Sequence, residues 1–304
     1  MPFPSFFSKN YIINFIILLI PISYIFGNLA LNLNIILLVL LTFLFFKKDV
    51  FHIKYVLTDK LILILFLYII INGFFNNLFN FDFPNAPSQN IVLIKSFLFL
   101  RFLVLYFVVR YLVSKEIIDY KLLFFGYGLF AFFVSFDLII QYIFGKNLFG
   151  MEGRDWRRLS GVFGDEYIAG GFIQKFFIFL PYSVLFFSGI KNKFFLNFLL
   201  LFIFGTTLIG VLASGNRIPL FFTIFALVLI FIFEKKLRKL IGSVFIVFLL
   251  IFSLLLKTNN EAYDHFHGLK NKGFEFISYF HESLTSSEKV LPKNVYVKEF
   301  VSGI

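Results

Sequence analysis

The stretch Arg154–Gly171, RDWRRLSGVFGDEYIAGG, stands between two long apolar runs of a chain that is otherwise strongly hydrophobic. Its charged residues are Arg154, Asp155, Arg157, Arg158, Asp165 and Glu166. Charges at or near a bilayer are costly unless they pair with one another or bind a charged group. The segment therefore predicts a binding site at a membrane surface, and we expect its ligand to be a phosphate-bearing lipid.

Composition identifies the class of protein around this segment. Hydrophobic residues make up 60% of the 304 positions, which excludes a soluble domain and predicts a polytopic membrane protein. The chain has no Cys, so disulfides and thiolate metal sites are excluded. In a membrane protein the net charge of +11 reports loop orientation first, so we expect no nucleic-acid partner.

Apolar stretches of roughly 20 residues, the length that crosses a bilayer as a helix, recur along the chain. They predict an all-α transmembrane bundle over residues 1–256 with about nine spans. The stretches cover residues 11–28, 29–46, 61–79, 92–113, 121–143, 167–187, 194–212, 216–233 and 240–256. Residues 257–304 are polar, and we expect an incomplete extracytoplasmic C-terminal loop there.

Lys and Arg are unevenly distributed between alternate loops. With the N-terminus in the cytoplasm, the inner segments collect most of the basic residues, as the positive-inside rule requires. The exceptions, placed on the outer side, are Lys146, Arg154, Arg157, Arg158 and Arg217. Basic residues that break the rule are candidates for a specific role.

Two of these arginines precede helices that are predicted to run inward. Asp165 is placed to cap the helix that follows Arg158, and Ser214 or Asn216 to cap the helix that carries Arg217, with Pro219 in its first turn. A helix N-terminus favours anions, and the planar guanidinium suits phosphate. The pair predicts a pyrophosphate clamp; the alternatives are self-pairing interfacial charges and a snorkelling Arg.

Ionisable residues also fall inside predicted spans, and histidines fall in the polar tail. The intramembrane residues are Lys95, Arg101, Asp137 and Lys175. Lys95 and Asp137 lie at matching depths, so we expect either a structural pair that Gln141 joins or contacts to substrate. Of His265, His267 and His281, the last is a candidate general base. No pattern typical of a metal or nucleotide site is present, and no cofactor is expected.

Several motifs together resemble the O-antigen ligase and O-antigen polymerase family. The first is Arg158–Glu166, RLSGVFGDE, and the second is SGNRIPL, residues 214–220, with Arg217 at the arginine position of the family. Asp137, Gln141 and the segment GKNLFG, residues 145–150, are also similar. The resemblance covers roughly residues 120–235 by motif and most of the chain by layout.

The resemblance implies a glycosyltransferase of the bacterial inner membrane. Such enzymes move a glycan from an undecaprenyl-pyrophosphate carrier to a lipid A–core sugar or to another carrier-linked repeat, without metal or nucleotide sugar. It implies that Arg158 and Arg217 hold the pyrophosphate. Beyond the resemblance, we expect Arg157 to take part in substrate binding and Asp165 or Glu166 to orient Arg158 or the acceptor. The resemblance also implies a loop histidine as base, followed by further spans, so we expect a truncated member. The competing hypotheses are a transporter or flippase of an anionic lipid or sugar, and an inactive remnant.

Overall fold

A computed structural model describes residues 8–78, 89–153 and 158–258, together with residues 274 and 278. These residues form eleven α-helices and two short 3-10 helices, and the part described contains no strand beyond an isolated bridge between Lys146 and Glu152. The fold is therefore all-α, as the composition predicts.

Six helices or helical runs are long and apolar enough to cross a membrane, which identifies a membrane protein. They are Asn28–Val50, Leu57–Leu78, Ile91–Ser114, Tyr120–Phe144, Ala169–Phe187 and Lys193–Ala213. The apolar helices Lys9–Ile25 and Arg217–Phe233 are shorter. The expected nine spans therefore remain a prediction. The polar segment 257–304 lies almost entirely outside the described residues.

The chain divides into two compact units, of which the first comprises Met1–Phe130 and Ile178–Gly189. Its helices are α1 (Lys9–Leu18), α2 (Ile20–Ile25), α3 (Asn28–Phe46), α4 (Leu57–Leu78), α5 (Gln89–Ser114), the start of α6 (Tyr120–Phe144) and α8 (Phe179–Phe187). A 3-10 helix, Lys47–Phe51, follows α3. Gly27 has φ +95°, a left-handed conformation that glycine adopts readily, and it separates α2 from α3 where the sequence predicts a boundary.

Polar side chains hold the first unit together at defined points. The buried amide of Asn14 donates to the Ile117 carbonyl (2.8 Å) and accepts from the backbone N–H of Asp119 (2.7 Å), which joins α1 to the turn before α6. The buried Asp59 carboxylate joins α4 to α5, because it accepts from the Tyr106 hydroxyl (2.5 Å) and lies 3.5 Å from Nε of Arg110. Buried charges of this kind persist only when paired.

The second unit comprises Ala131–Phe177 and Ile190–Ile304. It contains the end of α6, α7 (Ala169–Phe176), α9 (Lys193–Ala213), α10 (Arg217–Phe233) and α11 (Arg238–Thr258). The helix α9 is its centre and contacts α7, α10 and α11. It also approaches α6 closely, since a Cβ added at Gly210 would lie 2.6 Å from Cα of Ser135. Small residues permit such close helix packing in membrane proteins.

The predicted stretch 167–187 is divided in the structure. The helix α7 ends at Phe176 and α8 begins at Phe179, so a continuous apolar run is built as two short helices. Pro181 has no N–H to donate to the carbonyl of Phe177, which explains the break in the hydrogen-bond ladder just before it. The first apolar stretch behaves similarly, with α1 and α2 meeting at Leu19 ahead of Pro21.

Candidate functional site

The N-termini of α7 and α10 lie side by side in the second unit. The side-chain amide of Asn216, just before α10, donates to the carbonyl of Tyr167, just before α7 (2.9 Å). Gly170 in the first turn of α7 packs against the same loop, because an added Cβ would lie 3.1 Å from Cβ of Asn216 and would clash with the Ser214 hydroxyl. Two helix starts, with their unpaired N–H groups, therefore share one end of this unit.

The predicted cap of α7 is wrong. The helix begins at Ala169 with Ile168 at the cap position and no side-chain cap, so Asp165 lies three residues too early. Asp165 lies inside a turn that precedes the helix, in which the Glu166 N–H donates to the Phe163 carbonyl (3.2 Å). Asp165 and Glu166 are both exposed, which leaves their carboxylates at the surface of this end of the unit.

The predicted start of α10 is confirmed, with one difference in how the cap is used. Asn216 occupies the cap position, and Pro219 lies in the first turn, where its missing N–H costs nothing. The Asn216 side chain makes no cap bond; it bridges to Tyr167 instead. The Ser214 hydroxyl accepts from the Asn216 N–H (3.3 Å) and donates to the Val211 carbonyl (2.6 Å), which fixes the turn between α9 and α10.

Arg158 and Arg217 belong to this same end. Arg158 is exposed, and the two residues that follow it, Leu159 and Ser160, are buried and anchor the segment. Arg217, the first residue of α10, is half-buried. Arg217 is partly buried, and the positive charge of Arg158 acts on it. The two arginines, 59 residues apart in sequence, therefore belong to one end of the unit.

A buried polar network fixes the loop between α6 and α7. Asp137, fully buried near the end of α6, accepts from the Leu148 N–H (2.9 Å) and from the Asn147 amide (3.5 Å). Gln141, one turn further along, accepts from the Gly161 N–H (2.9 Å). The Asn147 amide also donates to the Gly161 carbonyl (3.0 Å). The network thus attaches both ends of the loop to α6.

Asn147 is the centre of this network. Its side-chain oxygen accepts from the N–H groups of Phe149 (3.0 Å) and Met151 (2.8 Å), while its amide nitrogen reaches Asp137 and Gly161. All the hydrogen-bonding capacity of one buried side chain is used, as buried polar groups require. A surface ion pair between Lys146 and Glu152 (2.9 Å) closes the same turn.

The other predicted site residues are distributed over both units. Lys95 and Arg101 are exposed on α5 in the first unit, and the Arg101 guanidinium lies 4.8 Å from the Phe102 ring centre. Lys175 is exposed in the last turn of α7. The predicted Lys95–Asp137 pair joins residues of different units and stays a prediction. Outside the described residues lie Arg154, Asp155, Arg157, His265, His267 and His281.

The sequence analysis gives no role to Asn147 or Asp59, and it does not predict the bridge from Asn216 to Tyr167. Asn147 lies within the motif GKNLFG, and Asp59 lies in the first turn of α4. An Asn or Asp beside apolar runs is the available signal, because such residues are costly there unless they are paired. Within the described ranges, no group of three His, Cys, Asp or Glu residues is placed to hold a metal ion.

No protein-family model, no curated protein and no solved structure matches this chain.

Proposed function

We propose that this protein transfers a glycan from an undecaprenyl-pyrophosphate carrier to an acceptor at the outer face of a bacterial inner membrane, with its N-terminus in the cytoplasm. The observation that carries the proposal is that the starts of α7 and α10 are joined at one end of the second unit, to which both Arg158 and Arg217 belong. Two positive charges at one site attract an anion more strongly than either does alone. A pyrophosphate has the charge and the oxygen geometry for such a pair.

The chemistry follows from where charge develops. The hydroxyl oxygen of the acceptor attacks the anomeric carbon of the glycan, and the bond from that carbon to the pyrophosphate oxygen breaks. The electron pair leaves with the undecaprenyl pyrophosphate, whose added negative charge Arg158 and Arg217 stabilise. The acceptor hydroxyl gives up its proton to a base. Asp165 and Glu166, exposed in the turn after Arg158, are the nearest candidates in sequence, and His281 is the candidate from the polar tail.

The buried network beneath the loop supports the proposal through preorganisation. Electrostatic stabilisation is effective when the charged groups are already in place before the reaction. Arg158 lies three residues before Gly161, which Gln141 and Asn147 attach to α6, and Arg217 follows a turn that Asn216 attaches to the start of α7. Both arginines therefore extend from fixed backbone.

The test is turnover in vesicles that contain the purified protein, a carrier-linked glycan and an acceptor. We expect Arg158→Ala and Arg217→Ala each to reduce turnover by about 10²-fold, the usual effect of removing one group that stabilises developing charge. Arg158→Lys, which keeps the charge but not the planar fork, should lie between. Lys191→Ala is the matched control, because Lys191 is an exposed basic residue of the same unit, away from both helix starts.

Wild-type turnover in both arginine-to-alanine variants would contradict the clamp. The same vesicles distinguish the transporter hypothesis, since movement of the labelled glycan lipid across the bilayer without transfer to the acceptor would favour transport.

A further inference from the structure

A groove between α4 and α5 in the first unit has no role in the function proposed above. Its volume is about 390 Å³, within the range of small-molecule sites. The two helices are in close contact at Gly73 and Ser96, and the groove opens beside this contact. Its wall combines apolar with polar side chains: Tyr68, Asn72, Asn76, Lys95, Ser96 and Phe99.

Two polar residues of the groove, Lys95 and Asn72, lie at the same depth. Lys95 lies six residues after Gln89, where α5 begins, and Asn72 lies six residues before Leu78, where α4 ends. At 1.5 Å per residue both lie roughly 9 Å from the same end of the hairpin. From that depth a long lysine side chain extends toward the headgroup region of a bilayer. Lys95 and Asn72 are both exposed.

The charge of the groove indicates an anionic occupant. Lys95 contributes a full positive charge, and the side-chain amides of Asn72 and Asn76 offer hydrogen-bond donors. The described acidic residues of the first unit cannot supply the anion, because Asp49, Asp59, Glu116 and Asp119 all lie near the opposite end of the hairpin. Asp59 is in addition committed to Tyr106 and Arg110.

The apolar part of the groove determines what kind of anion fits. Tyr68 and Phe99 continue the wall from the polar end toward the middle of the helices. A ligand that follows this surface has an anionic head and an apolar tail. We propose that the α4–α5 groove binds a membrane lipid with an anionic phosphate headgroup, which contacts Lys95, Asn72 and Asn76, while one acyl chain lies along Tyr68 and Phe99.

The experiment uses the full chain in nanodiscs of zwitterionic phosphatidylcholine, with phosphatidylglycerol as the anionic probe. Native mass spectrometry measures the bound lipid, and thermal unfolding measures how far the lipid raises the unfolding midpoint. Wild type should bind phosphatidylglycerol preferentially and be stabilised by it. Lys95→Gln should weaken this binding about fivefold, the contribution of one basic residue to an anionic surface. Lys95→Arg should retain it.

The matched control is Lys60→Gln, an exposed lysine of the same hairpin near its opposite end, which should behave as wild type. Unchanged binding in Lys95→Gln would overturn the proposal. The variant Asn72→Cys tests whether a second protein chain occupies the groove, because the chain has no other Cys that could form a disulfide. Efficient disulfide-linked dimers through this Cys, unaffected by phosphatidylglycerol, would assign the groove to a second copy and also overturn the lipid site. Neither readout depends on glycan transfer, so this proposal and the proposed function fail independently.

Discussion

At the scale of single residues, the hydrogen-bond network of the second unit has an asparagine, Asn147, at its centre, and not the charged residue Asp137 that the sequence predicts as important. Asp137 is predicted as a substrate contact or as the partner of Lys95. In the structure its carboxylate accepts hydrogen bonds from the Asn147 amide and the Leu148 N–H. The motif that contains Asn147 is visible in the sequence, but its role is not. That role depends on which backbone groups return to α6, and only the folded loop determines this.

Asn147→Ala should destabilise the protein by about 1–3 kcal/mol, because it leaves one oxygen of the buried Asp137 and the partly buried N–H groups of Phe149 and Met151 without their partner. Thermal unfolding in detergent measures the change. The control is Asn32→Ala, whose amide donates only to the Asn28 carbonyl within α3. Equal midpoints for both variants would show that the network contributes no stability.

At the scale of elements, the helices follow the apolar runs closely and depart from them at prolines and caps. The runs 29–46, 121–143 and 194–212 correspond to α3, α6 and α9 within a residue or two, because length and hydrophobicity alone determine a helix in lipid. The run 167–187 is one stretch in hydropathy and two helices in space. Asp165 does not cap α7, although its residue type favours the cap position. It lies instead in the turn in which the Glu166 N–H donates to the Phe163 carbonyl, so the helix begins only after that turn.

Two glycines of α9 test how this helix packs. Gly210→Ala should destabilise the protein by about 1–3 kcal/mol, because the new methyl group would lie 2.6 Å from Cα and Cβ of Ser135 on α6. Gly205→Ala meets nothing within 4 Å and should be neutral or stabilising by up to about 1 kcal/mol through helix propensity. Unfolding midpoints of the two variants give the comparison. A stable Gly210→Ala variant would mean that α9 and α6 are not in close contact.

At the scale of the whole molecule, the sequence predicts the class of protein better than it predicts the site. Hydrophobic composition does not depend on how the chain folds, so the sequence alone is enough to predict a membrane protein. Whether Arg158 and Arg217 share one site depends on tertiary structure, because the starts of α7 and α10 must be adjacent. In the sequence the two arginines are linked by predicted sidedness, by the helix starts that follow them and by the resemblance of separate motifs to one family, and sidedness alone would allow them to be far apart.

Orientation is the property of the whole chain on which the proposed function depends, and it can be measured directly. The chain has no native Cys, so each introduced Cys is the sole labelling site. The positive-inside rule predicts that Lys48→Cys and Lys191→Cys face the cytoplasm and that Lys146→Cys, in the loop after α6, faces outward. All three positions are exposed, so accessibility of the side chain itself does not bias the result. In intact spheroplasts a membrane-impermeant maleimide should label only Lys146→Cys, and permeabilisation should expose the other two. The reverse pattern would place the Arg158 and Arg217 end at the cytoplasmic face, where an outward-facing transfer reaction is impossible, while leaving the lipid groove of the first unit unaffected.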